Sequence, residues 1–187
     1  MIDELIIRQK YLIALKSQGY FSKRHFLKNA KLKKKQINLK IQQIMVNNQN
    51  NILLYNALEN LAYWLLNTNN YLYTLSPPPQ PTIQIIRKDF NLLAEIALSK
   101  NEIPVPCLLN FRLVFELLYL VAPTKGLNAG TKFIRNFIAL ANKCKLPIVL
   151  YCESKLVPYY KKFQFQKVFE QIRKNKKEIL MVYFPEI

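Results

Sequence analysis

The sequence predicts an α/β fold of the α+β kind, a mixed β-sheet with helices on its faces, behind a helical N-terminal extension. Three observations predict it. From residue 83 onward, apolar segments with extended and helical patterning follow one another in the order β-α-β-α-β-β. The run Ser76-Pro77-Pro78-Pro79-Gln80-Pro81 interrupts the chain, and such a run enters neither a helix interior nor a central strand. Half of the 187 residues are apolar (51%), which suffices for one good-sized core and an appendage.

The proline run divides the chain into an extension at 1–75, a stiff extended linker at 76–81 and a folded domain at 82–187. Composition changes along the way. Residues 1–40 carry 11 Lys/Arg against 2 acids, whereas 41–86 carry no Lys or Arg and only Glu59 as a charge. In the basic part, Lys31-Leu32-Lys33-Lys34-Lys35 is the densest run, with Tyr20, Phe21 and Phe26 nearby. Cations interleaved with aromatics suit single-stranded nucleic acid, and they equally suit a solvated helix face. In the part without Lys or Arg, Ile52, Leu53, Leu54, Ala57, Leu58, Leu61, Leu65 and Leu66 recur at helical spacing around Trp64. That helix must bury its apolar side against something.

Beyond the linker, Ile83–Arg87 reads as a strand. Lys88–Lys100 reads as a helix, because Phe90, Leu92, Leu93, Ile96 and Ala97 fit a helical stripe. Arg112–Val121 is rich in β-formers and aromatics and reads as a strand. Thr131–Lys143 reads as a helix facing inward with Phe133, Ile134, Phe137, Ile138 and Ala141. Leu146–Tyr151 is a short apolar strand, and Lys155–Phe163 is helical. Phe165–Ile172 and Glu178–Phe184 flank the polar turn Arg173–Lys177 and pair as a hairpin.

Several classes of function are excluded at this stage. No run of 18 apolar residues occurs, so no membrane-spanning helix is expected. The start Met-Ile-Asp-Glu-Leu lacks the basic region of a secretory signal. Cys107, Cys144 and Cys152 form no CxxC pair, which predicts reduced thiols and a cytoplasmic location. His25 is the single histidine, and no metal-ligand cluster is expected. The net charge of +17 favours polyanions such as nucleic acid, acidic protein faces or phosphorylated cofactors. AT-rich coding, which raises Asn, Ile and Lys together, accounts for it as well.

The chemistry concentrates in one turn. The chain has only three glycines, Gly19, Gly126 and Gly130, and two of them sit between a predicted strand and a predicted helix. A helix N-terminus offers unpaired N–H groups and partial positive charge. A preceding turn of small residues lets a phosphate reach that backbone. Ala129 and Gly130 are small enough, and Asn128 tolerates positive φ best among non-glycine residues. Lys125 and Lys132 add cations. Neither a Walker A loop nor a GxGxxG fingerprint is present.

The segment Glu116-Leu-Leu-Tyr-Leu-Val-Ala-Pro-Thr-Lys125-Gly-Leu-Asn-Ala-Gly130-Thr-Lys-Phe-Ile resembles motif A of the GNAT superfamily of acetyl-CoA-dependent N-acyltransferases, a strand, a [QR]-x-x-G-x-[GA] turn and a helix. Tyr160-Lys-Lys-Phe-Gln-Phe165 is similar to the family's Y-x-K-L-G-F segment. The resemblance spans roughly residues 112–184. It departs from the pattern at Lys125 for Gln/Arg, at Asn128 for the first Gly, at Gln164 for the Gly of the second segment, and at Glu153, where Asn is common. Pro158 implies that the following helix is kinked or starts late.

The resemblance implies an N-acetyltransferase that moves an acetyl group from acetyl-CoA, as co-substrate, to an amine-bearing acceptor, without a metal. It implies acetyl-CoA lying between splaying parallel strands, here 112–121 and 146–151. Backbone N–H groups of Leu120, Val121 and Ala122 would face the thioester and its oxyanion. Lys125, Gly126, Leu127, Asn128, Ala129, Gly130 and Thr131 would hold the pyrophosphate. Tyr160 matches the family's general acid, although in a chain with 11 tyrosines it could equally pack between helix and sheet. Glu116 is a candidate base or a surface carboxylate paired with lysine. Cys152 reads as a buried thiol. An alternative keeps the fold without the reaction, as a binding or structural module in a nucleic-acid-containing assembly.

Overall fold

The computed structural model describes the backbone of residues 23–47, 51–67, 71–75, 82–123, 126, 128–173 and 176–186. The fold is α+β. Its helices are α1 (Lys23–Asn47), α2 (Ile52–Asn67), α3 (Ala129–Cys144) and α4 (Val157–Lys161). Its strands are β1 (Tyr71–Leu75), β2 (Ile83–Arg87), β3 (Leu93–Lys100), β4 (Leu113–Val121), β5 (Ile148–Cys152), β6 (Gln166–Arg173) and β7 (Lys176–Tyr183). They form a mixed sheet in the order β1-β2-β3-β4-β5-β7-β6. The chain divides into two compact units, Met1–Glu95 with Tyr119–Thr131, and Ile96–Leu118 with Lys132–Ile187.

In the first unit, Asn51 caps α2. Its side chain accepts the Leu54 N–H at 3.1 Å and its carbonyl accepts that of Tyr55 at 2.9 Å, which satisfies donors that a helix start leaves open. α2 buries Ala57, Leu58, Leu61 and Leu65, and α1 buries Ile37 and Ile41. α1 contacts both α2 and β1, so this apolar helix packs within the chain. β1 and β2 pair antiparallel, from Tyr71↔Arg87 to Leu75↔Ile83. A tight turn follows β2. The Phe90 N–H donates to the Arg87 carbonyl, the Arg87 N–H donates to the Leu92 carbonyl, and Phe90 takes φ 55°.

Two expectations are corrected here. Residues 71–75, read as the end of a helical extension, form strand β1, as Tyr71-Leu-Tyr-Thr-Leu suits better than helix. The helix expected over Lys88–Lys100 is strand β3. Leu93, Ala94, Glu95, Ile96 and Ala97 are all buried. A strand covered on both faces reads as a continuous apolar run, which helical spacing also fits. The proline linker at 76–81 lies outside the described residues.

The second unit has two packed faces. On one, Val114, Val149, Leu180 and Val182 pack with Val105 and Leu108, and Ile103 and Phe111 close over them. That lid is the loop between β3 and β4, folded by Asn101. The Asn101 side chain donates to the carbonyls of Leu108 (2.7 Å) and Phe111 (3.0 Å) and accepts the Ile103 N–H (3.1 Å). On the other face, Phe137 of α3 stacks on Phe133 (5.9 Å) and meets Phe115 of β4 edge-on (5.5 Å). Phe165 bridges Tyr160 and Tyr183, each at 5.6 Å. The Tyr183 hydroxyl donates to Asn142 Oδ1 at 2.9 Å, tying β7 to α3.

β6 and β7 form the expected antiparallel hairpin, with a register shift between Lys167 and Phe169. β5 and β7 are antiparallel, from Ile148↔Tyr183 to Cys152↔Ile179. β4 and β5 are parallel. No described helix is long and apolar enough to cross a membrane.

Candidate functional site

Within the first unit, residues 119–131 hold the end of β4, the turn and the first turn of α3. Gly126 takes φ 87° and Asn128 φ 49°. Both are left-handed, a conformation that glycine and asparagine tolerate best. A Cβ on Gly126 would meet nothing within 4 Å. Its glycine therefore answers to φ and leaves open space beside the backbone. α3 starts at Ala129 with no acid in its first turn, and Ala129 and Gly130 are buried. Thr131, Leu120 and Val121 are half-buried, and Ala122 is exposed. Lys125 and Leu127 lie outside the described residues.

These features fit an anionic group. The N–H groups of a helix start meet no carboxylate of their own first turn, and only small side chains stand at Ala129 and Gly130.

Within the second unit, β4 and β5 part. Their pairing runs through Phe115↔Ile148, Glu116↔Val149 and Leu117↔Leu150. β4 continues to Val121 and β5 to Cys152, and among the described residues the register between them ends at Leu117↔Leu150. The residues just past the last pair, Leu118 and Tyr151, are 45% and 40% exposed. The Phe115 N–H donates to the Pro147 carbonyl at 2.9 Å, which identifies the β5-facing edge of β4. Strand alternation puts the N–H groups of Leu117, Tyr119 and Val121 on that same edge, and those of Leu118 and Leu120 on the other.

Glu116 is half-buried on β4, beside Val149. Among the described residues it makes no ion pair, so the surface pairing with lysine is not formed there. Tyr160 is buried at 7% exposure, with Tyr159 at 5.2 Å and Phe165 at 5.6 Å. Burial pushes its hydroxyl well above the ordinary tyrosine range, and Cys152 and Tyr159 add to the shift. Burial likewise pushes the Cys152 thiol up to about 11, with Glu153 adding to it, which keeps the thiol protonated and unreactive. The Glu153 carboxylate is bound by Lys155 at 2.7 Å.

The helix bearing Tyr160 starts late, as Pro158 implied. A 3-10 turn at Ser154–Leu156 precedes it, and Pro158 sits in its first turn, where the missing N–H is not needed. Gln164, standing where the resembled segment has glycine, takes φ 66°. That left-handed conformation is one that glycine adopts without strain.

Sequence reasoning missed the buried carboxylate of Glu95. Glu95 is 9% exposed and accepts the Thr82 hydroxyl hydrogen. The helical stripe expected over 88–100 leaves Glu95 out. A Leu-Ala-Glu-Ile-Ala run flanked by turn residues was the available signal for a buried strand.

No protein-family model matches the sequence, and no curated protein matches it. Several solved structures resemble the fold. A Pseudomonas aeruginosa acyl-CoA N-acyltransferase aligns over 55% of this chain and 68% of its own, at 15% identity and a TM-score of 0.40. The Bacillus subtilis N-acetyltransferase YlbP, solved in complex with coenzyme A, aligns over 57% and 68%, at 24% identity and a TM-score of 0.39. A Corynebacterium glutamicum histone acetyltransferase and related acetyltransferase aligns over 70% and 75%, at 13% identity and a TM-score of 0.45. The chain is similar to these solved N-acyltransferases at 13–24% identity.

Proposed function

We propose that the chain is an N-acetyltransferase of the GNAT type, taking acetyl-CoA as co-substrate and an amine as acceptor. The observation that carries this reading is the parting of two parallel strands. β4 and β5 pair over three residues and then separate. β4 runs on into a left-handed Gly126–Asn128 turn that ends at an acid-free helix start. Parallel neighbours that stay in the sheet have no reason to give up their hydrogen bonds.

Acetyl-CoA supplies an activated acyl thioester when bound. The turn and the N–H groups of Ala129, Gly130 and Thr131 are suited to its pyrophosphate, with Lys125 as the neighbouring cation in sequence. Of Leu120, Val121 and Ala122, Val121 lies on the β5-facing edge of β4. Its N–H is therefore the one aimed to donate to an oxygen gaining negative charge.

Tyr160 Oη holds its proton throughout the neutral range, because burial disfavours the phenolate. It can act only as a donor, which is the role of a general acid toward a departing anion. Glu116 offers a carboxylate, free of ion pairing among the described residues, to accept a proton from an incoming ammonium directly or through water.

The test is calorimetric titration of the protein with acetyl-CoA, followed by thiol release in the presence of simple amines. Binding that is lost in Gly130→Trp, with the helical circular dichroism kept, supports the cradle. Absence of binding by the wild type overturns the reading. Binding without turnover on any amine leaves the alternative of a module that keeps the fold but not the reaction.

A further inference from the structure

We infer that the acceptor is a small amine with a single positive charge and an aromatic or bulky aliphatic group, held by an apolar row on one face of the second unit's sheet. The inference rests on the acyltransfer reading above and names its substrate class. Leu118 stands one step past the last β4–β5 pair, Leu117↔Leu150, and Tyr151 stands at the same step on β5. Tyr151 pairs with Leu180 of β7, and Leu180 pairs with Phe169 of β6. Residues opposite one another in a sheet share a face. Leu118, Tyr151, Leu180 and Phe169 thus form one row across four strands, all within the second unit. Leu118, Tyr151 and Phe169 are 45%, 40% and 48% exposed. Single exposed apolar side chains are ordinary on a protein surface, whereas several in one register row mark a contact site.

The row is one residue deep. On one side, the same face carries Val114, Val149 and Val182, packed with Val105 and Leu108 of the lid. On the other side come Gln171 and Glu178, which pair across β6 and β7 and share a hydrogen bond at 3.5 Å. Neighbouring strands lie about 4.8 Å apart, so the row is about 10 Å wide from Tyr151 to Phe169. Such a strip takes one ring or one branched chain. It is too small for a second copy of this chain, since a stable interface buries about 800 Å² per partner. Its lidded and polar borders give the further residues of a peptide no apolar track among the described residues.

The charge is matched by Glu116. It lies on the same face as Leu118, two residues before it and roughly 7 Å along the strand, so a short tether joins the amine to the apolar group. Glu116 is half-buried and makes no ion pair among the described residues. The other acids beside the row are committed. Glu170 is clasped by Lys167 and Lys177, Glu153 is bound by Lys155, and Glu178 is buried. Each further ammonium on the acceptor needs a carboxylate of its own to offset its desolvation. The net charge of +17 also repels a multiply charged amine more than a singly charged one. Both effects select a monoamine over a polyamine.

The transfer needs no further reactant. The ammonium gives one proton to Glu116, and its nitrogen bonds to the acyl carbon. The carbon–sulfur bond breaks, and the second proton lost by nitrogen balances the one that Tyr160 supplies to the departing thiolate.

The experiment offers the full chain four acceptors: ethylamine, 4-fluorophenethylamine, spermidine and a tripeptide with N-terminal phenylalanine. Thiol release reads turnover, fluorine NMR reads binding of the aromatic amine without acetyl-CoA, and calorimetry reads acetyl-CoA affinity. The aromatic amine should exceed the other three in kcat/KM by about tenfold or more, and its fluorine line should broaden on adding protein. Leu118→Asn and Tyr151→Asn should each raise its KM by about tenfold and sharpen the line, with kcat and acetyl-CoA affinity nearly unchanged. Ile172→Asn, whose residue is 81% exposed but pairs with Lys177 off the row, should change none of these. Circular dichroism checks each fold, and Phe169→Asn repeats the test where another variant does not fold. Absence of acetyl-CoA binding overturns the acyltransfer reading and this inference together. Turnover of ethylamine, spermidine or the tripeptide equal to that of the aromatic amine overturns this inference and keeps the acyltransferase. Acetyl-CoA binding without turnover of any acceptor overturns it as well, as does an equal rise in KM in Ile172→Asn.

Discussion

The Phe165 N–H donates to the Tyr160 carbonyl at 3.4 Å, and the Phe165 ring lies 5.6 Å from the Tyr160 ring. Between them, the Gln164 N–H donates to the Lys161 carbonyl at 3.0 Å. This paired closure, with an apolar contact across it, ends α4 and requires a left-handed residue at Gln164. Gln164 supplies φ 66° at a steric cost that glycine does not bear. Gln164→Gly should therefore raise stability by about 0.5–1 kcal/mol, read from the urea midpoint at unchanged slope. A β-branched Gln164→Val should lower it.

α3 ends in the same way. The Lys145 N–H donates to the Asn142 carbonyl and the Leu146 N–H to the Ala141 carbonyl, both at 3.1 Å, with Lys145 at φ 54°. Lys145→Gly should stabilise by a similar amount. The two caps share no hydrogen-bond partner, so the double variant should show the sum within about 0.5 kcal/mol.

Tyr160→Phe should keep acetyl-CoA binding in calorimetry and lower turnover by about 10²–10⁴-fold. The same variant tests the ionisation. Tyr160 is raised above its ordinary 10.0 in the folded protein, so its contribution to stability is complete below pH 10. That contribution is lost as pH rises further, because only the unfolded chain then releases the proton. Urea unfolding in alkaline buffers should show a decline above pH 10 that is shallower in Tyr160→Phe.

Cysteine accessibility gives a third check. Cys107 is exposed, while Cys144 and Cys152 are buried, with thiols pushed up to about 12 and about 11 by desolvation. Iodoacetamide at mildly alkaline pH should add one label to the native protein and three in urea, counted by mass spectrometry. Rapid double labelling of native protein would show that one of these thiols is not held as described.

Asn101 organises the lid over one face of the second unit. Asn101→Ala removes two donated bonds and one accepted bond and leaves the carbonyls of Leu108 and Phe111 without that donor. It should cost about 1–3 kcal/mol, measured by denaturant titration.

Much of this was legible from residue order because local signals agreed. Thr131–Lys143 has one apolar face and became α3. The polar turn at 173–177 separates two strand-like runs, which pair as β6 and β7. β3 was not legible, since Leu, Ala and Glu favour helix locally and burial on both faces removes the alternation that marks a strand. At the site, glycine scarcity pointed to the turn, and the left-handed Asn128 follows from its short polar side chain. Which β4 amides face β5 was not legible, because that depends on the edge identified by the Phe115–Pro147 bond. Nor was Glu95, whose burial depends on the strand assignment.

The register shift beside Lys167 has a consequence for how molecules behave in a crowd. β6 ends the strand order, and a terminal strand with regular open amides is a template for fibril growth. Here the irregularity between Lys167 and Phe169 breaks the spacing that a further strand would need. Lys167 and Lys177 also clasp Glu170, at 2.7 and 2.5 Å, which sets charge along the same border. Phe169 and Ile172 stand 48% and 81% exposed on that strand, so the border is greasy enough to aggregate were it straight. Its kink and its charges act as a stopper at the border that β6 forms among the described strands.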